Sequence, residues 1–126
     1  MGDGDHGWAC ADVLSLVRQA LVREQGGRLL LLPNAPEAWW LNGPLGLWEA
    51  PTLAGRLSFR LVPEGESTHV LTWDLQRTAF QAPWPLLLVL PMGWEAEDYW
   101  DCLETPWGAP GIGLPETGRL SLRRKP

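Results

Sequence analysis

The sequence predicts a mainly β protein, an antiparallel β-sandwich-like domain preceded by one N-terminal α-helix. Three observations carry this. Apolar residues recur at helical spacing in only one good stretch, Trp8 to Glu24. Beyond Gly27 the period changes, and Leu57, Phe59 and Leu61 alternate with Arg56, Ser58 and Arg60 as in a half-buried strand. Turn residues then punctuate a series of short apolar runs. A chain of 126 residues is enough for one domain and hardly for two. We read residues 1–27 as a lead-in and helix and residues 28–126 as the sandwich.

Within the helix, Val13, Leu14, Val17, Ala20 and Leu21 fall on one face. Asp12 near its start and Arg18 and Arg23 toward its end suit the macrodipole, and Gly26-Gly27 reads as its stop. Arg28 to Leu32, closed by Pro33, reads as a buried strand. Pro36 to Leu41 reads as one helical turn with Pro36 at its first position. Of the adjacent Trp39 and Trp40, one is expected to enter the core and the other to cover an edge. Gly46 to Glu49 is a short strand, and Thr52 to Val62 the best one. With the turn Pro63 to Glu66 and the run Thr68 to Asp74 it makes a hairpin. Leu86 to Leu90 is a continuous apolar strand, Gly93 to Gly113 is irregular, and Arg119 to Arg123 is a closing strand. The count is five or six antiparallel strands, with Leu57, Phe59, Leu61, Leu71, Leu88 and Leu90 in the core.

Composition excludes several function classes. The net charge is −5 and charged residues are 20% of the chain, so a nucleic-acid binder that works through a basic face is ruled out, as is a basic membrane-surface protein. The most apolar stretch, Pro83 to Trp94, is about a dozen residues and holds three prolines, whereas a membrane span needs about 20. Met1 to His6 is acidic and no apolar region follows, so no targeting signal is expected. Cys10 and Cys102 are expected as free, buried thiols rather than a bridge. His6 and His69 have no Cys or carboxylate at ligand spacing, so neither a metal nor a cofactor is implied. No serine sits in a nucleophile-elbow setting, and the glycines from Gly108 to Gly113 lack the Lys and the helix that a phosphate cradle requires.

Nine tryptophans against one tyrosine and two phenylalanines stand out. Indoles on this scale form either a core or an apolar surface that awaits a partner. Glu95, Glu97, Asp98, Asp101 and Glu104 gather around Trp94, Trp100 and Trp107. Such a run reads first as a solvated loop pinned to the sheet by its aromatics. Its second reading is a sugar surface, because an indole face stacks on a pyranose and carboxylates accept hydroxyl protons. On that reading Trp94, Trp100 and Trp107 contact carbohydrate. A paired acid and base for glycoside hydrolysis is a distant third.

Asp5-His6-Gly7-Trp8-Ala9 leads into the helix, and Gly26-Gly27-Arg28-Leu29-Leu30-Leu31-Leu32-Pro33-Asn34-Ala35-Pro36-Glu37-Ala38-Trp39 follows it. This order resembles the end of a glycoside hydrolase of the α-L-rhamnosidase type, in which a late helix of an (α/α)6 catalytic barrel leads into a C-terminal β-sandwich. Ala50 to Phe59 resembles the segment that opens that sandwich, and Leu87 to Pro91 a later strand. The resemblance covers residues 5 to 91 as an order of segments. It implies that the catalytic acid and base lie outside this chain. It implies that the helix stripe belongs against a barrel, in cis or in trans. It also implies that Asp5, His6 and Trp8 line a sugar site in a complete enzyme, although an Asp ahead of a helix also serves as a cap. The expected function is therefore a non-catalytic β domain that steadies a catalytic barrel and touches carbohydrate. The alternatives are a stand-alone carbohydrate-binding module, or a structural domain unrelated to sugars.

Overall fold

A computed structural model of the chain describes residues 17–33, 35–78, 80–97 and 102–125. Residues 17–21 are helical (α1). The strands that follow are β1 Val22–Gln25, β2 Arg28–Leu31, β3 Leu45–Thr52, β4 Gly55–Pro63, β5 Thr68–Gln76, β6 Leu86–Leu88, β7 Trp94–Ala96, β8 Cys102–Glu104, β9 Pro110–Leu114 and β10 Thr117–Arg124. One short helix, α2 Glu37–Leu41, lies between β2 and β3. The strands form two five-stranded sheets, in the orders β1-β2-β6-β9-β8 and β3-β4-β5-β10-β7. The mainly β, sandwich-like fold is the one the sequence predicts.

The core gathers residues from both sheets. Leu29, Leu31, Leu86 and Leu88 come from the first, and Leu57, Leu61, Leu71, Leu120 and Leu122 from the second. Phe59 is buried with them, whereas Leu90 is only half-buried at the margin. In the second sheet β4 alternates cleanly, with Leu57, Phe59 and Leu61 pointing in and Arg56 and Arg60 pointing out. The first sheet does not: Leu29, Leu30 and Leu31 are all buried, and so are Leu86, Leu87 and Leu88. These two runs pair in parallel, Leu29 with Leu86 through Leu31 with Leu88. Continuous apolar runs are what a strand buried on both faces requires.

Several expectations are corrected. The helix does not run to Glu24, because Val22–Gln25 is a strand. Gly26 and Gly27 both have positive φ, 58° and 71°, and join β1 to β2. Two successive residues of positive φ are the signature of a tight hairpin, and glycine meets that need without strain. The hairpin thus replaces the helix stop, and the division at residue 27 falls inside its turn. Ten strands are present among the described residues rather than five or six, because the stretch expected to be irregular contains β7, β8 and most of β9, and β1 replaces the end of the expected helix. The best strand begins at Gly55, since residues 53 and 54 make a turn capped by the Thr52 hydroxyl. Thr52 Oγ1 accepts from the Ala54 N–H at 3.1 Å. Cys102 is a free thiol, as expected, but exposed rather than buried; Cys10 lies outside the described residues. Of the two adjacent tryptophans, Trp40 enters the core as expected and is fully buried, while Trp39 is half-buried against it.

Candidate functional site

A hollow of about 630 Å³ lies on the outer face of the second sheet. Its walls carry Trp48 from β3, Ser58 and Arg60 from β4, and Thr72 and Asp74 from β5. Strand pairing brings these residues together. Gly46 lies opposite Arg60, Arg60 opposite Thr72, and Ser58 opposite Asp74. Directly opposed residues share one face of a sheet.

Trp48 owes its position to a bulge. The β3–β4 register shifts between Leu47, opposite Phe59, and Ala50, opposite Leu57, so Trp48 and Glu49 together face Ser58. Glu49 takes φ 49°, a left-handed conformation uncommon for a residue with a side chain. Its N–H donates to Ser58 Oγ at 2.8 Å, which pins the kink. A bulge bends its strand and re-aims a side chain. Here the re-aimed side chain is an indole left 84% exposed. Gly46 keeps the wall low, because a Cβ there would stand 2.6 Å from the Phe59 carbonyl oxygen.

The chemistry on offer is that of a binding surface. Trp48 presents a large apolar ring to solvent, Thr72 offers an exposed hydroxyl, and Asp74 is a half-buried acceptor steadied by the Gln76 side-chain amide at 3.1 Å. The Arg60 side chain is exposed and makes no ion pair or hydrogen bond among the described residues. Comparison with protein-family models, with characterised proteins and with solved structures finds no match.

The residues singled out in the sequence fall elsewhere. Trp94 is 4% exposed and packs on Trp40 and His69, with ring centroids 5.1 Å and 4.8 Å away. Its Nε1 donates to Glu37 Oε1 at 3.2 Å, so it fastens β7 to α2 and presents no open ring face. His69, on β5, is equally buried, and its Nε2 donates to the Trp40 carbonyl. A carbonyl only accepts, so the proton is on Nε2. Trp107 is half-exposed in the turn after β8, on the other sheet from the hollow. Asp5, His6, Trp8 and Trp100 lie outside the described residues, as do Asp98 and Asp101. Of the remaining acids in that run, Glu95 pairs with Arg123 at 2.6 Å, while Glu97 and Glu104 are exposed. Among the described residues no group of three or more His, Cys, Asp or Glu side chains is placed to hold a metal ion.

Trp48 is not among the residues that the sequence singles out. The signal for it was present. A strand over Gly46 to Glu49 with Leu47 inward puts Trp48 outward, beside the outward residues Ser58 and Arg60 of the next strand.

Proposed function

We propose that this chain is a non-catalytic β domain that binds carbohydrate in the hollow around Trp48. The observation that carries this reading is an indole 84% exposed above a polar sheet face and aimed there by a bulge pinned to Ser58. Exposing so much apolar ring is costly unless a partner covers it. The apolar face of a pyranose matches an indole, while Asp74, Thr72 and Ser58 can answer ring hydroxyls as acceptors or donors. The setting we propose is beside an (α/α)6 barrel of the α-L-rhamnosidase type. The support for that setting is the segment order from Asp5 to Pro91, not the hollow itself.

The test is a glycan-array screen of the chain followed by calorimetric titration of the hits. Binding is expected, with Trp48→Ala weakening it by roughly tenfold or more, the scale of losing an aromatic anchor. Absence of binding across the array, or equal affinity in wild type and Trp48→Ala, overturns the reading. Trp48 is mostly in solvent, so the variant is expected to melt with the parent, a control read by circular dichroism.

A further inference from the structure

We infer that the saccharide bound in this hollow is acidic, its ring stacked on Trp48 and its carboxylate held by the Arg60 guanidinium; the inference rests on the carbohydrate reading of the site. The outer face of the second sheet carries four arginines, Arg56, Arg60, Arg119 and Arg123, on a protein whose net charge is −5. Arg56 and Arg60 alternate with Ser58 along β4, and Arg60, Thr72 and Arg119 stand in one row across β4, β5 and β10. Two arginines of this face have acidic partners, Arg119 with Glu64 at 3.8 Å and Arg123 with Glu95 at 2.6 Å. Arg60, the one in the hollow, has none among the described residues, not even Asp74 on the same wall. An arginine fork matches a carboxylate with two parallel charge-assisted hydrogen bonds, which are roughly twice as strong as bonds to neutral hydroxyls. Asp74 then takes the opposite role and accepts from hydroxyls further round the ring. Trp48 supplies affinity for any pyranose, and Arg60 supplies the preference for one that carries a charge.

The experiment compares matched ligands by calorimetry at low salt: oligosaccharides of galacturonate, glucuronate and mannuronate, each beside its carboxyl-reduced neutral counterpart. At least one acidic member is expected to bind roughly tenfold or more tighter than its neutral partner. That preference is expected to shrink at high salt, because an exposed charge contact is screened. Arg60→Ala should abolish the preference, weakening the acidic member far more than its neutral counterpart, and Arg60→Lys should restore only part of it. Trp48→Ala should weaken acidic and neutral ligands alike. Equal binding of the acidic and neutral members overturns this inference and leaves the carbohydrate reading standing, as does a preference that survives Arg60→Ala. Binding of neither set overturns both.

Discussion

Phe59 lies on the inward side of β4 between Leu57 and Leu61 and is 4% exposed. Truncation there opens a cavity between the sheets that neighbouring side chains only partly fill. Phe59→Ala is expected to cost about 3–5 kcal/mol in urea or thermal unfolding. A loss below about 1 kcal/mol would place Phe59 outside the core. Ser58, its neighbour on the opposite face, plays a different part. Its hydroxyl accepts from the Glu49 N–H and so holds the bulge that aims Trp48. Ser58→Ala removes one partly solvated hydrogen bond, expected to cost about 0.5–1.5 kcal/mol in stability. It should also weaken saccharide binding several-fold, although the serine carries no apolar platform. Unchanged affinity in that variant would mean that the indole is aimed by the backbone alone.

At the scale of elements, the turns decide the register. Gly55 opens β4 with φ 141°, and a Cβ there would run into the Gln76 carbonyl oxygen on β5. Gly65, in the turn between β4 and β5, has open space around its Cβ direction and no positive φ. Alanine should therefore act oppositely at the two sites. Gly55→Ala is expected to destabilise by more than about 2 kcal/mol, combining a disfavoured dihedral with a backbone clash. Gly65→Ala is expected to be neutral or to stabilise by about 0.4–1 kcal/mol, through a less flexible unfolded chain. Paired denaturant melts check both, and similar values would show that the turn conformations are not as described. The same elements explain what could be read in advance. Period-two alternation along Arg56 to Leu61 identified β4 and its inward face, because one side of that sheet is solvated. The leucine runs of β2 and β6 showed burial but not direction, since a strand buried on both faces has no alternation, and nothing local announces a parallel partner. Strands of three residues such as β7 and β8 are too short to show a period, so nothing in the sequence sets them apart from a loop. Gly26-Gly27 fits a helix stop and a hairpin turn equally well in one dimension. Only the pairing of Val22 with Leu31 distinguishes them. The site followed the same logic. Acids near tryptophans in sequence drew attention to Trp94, which the fold buries, while Trp48 gains its polar neighbours only by strand pairing.

For the whole molecule, the question is whether the N-terminal segment belongs to this fold or to a neighbouring barrel. Leu21 is 5% exposed and Val22 fully buried, both within the core that joins the two sheets. The Leu21 carbonyl accepts from the Leu32 N–H at 2.8 Å, and β1 covers one edge of β2 over the register Val22–Leu31 to Gln25–Arg28. Deleting residues 1–24 removes both side chains and nearly the whole of β1. Burying a Val or Leu side chain contributes about 1.5–3 kcal/mol each, so the two together are a large share of a typical domain stability of about 5–15 kcal/mol. The bared edge of β2, built from leucines, is also a template for association with another chain. The truncated chain is therefore expected to lose its cooperative melt or to aggregate, read by thermal unfolding and light scattering against the parent. That result assigns the segment from Leu21 onward to the sandwich, so any docking onto a barrel would have to use residues before it. A truncated chain that melts cooperatively within a few degrees of the parent would instead make β1 dispensable and return the segment to the barrel, where the resemblance puts it.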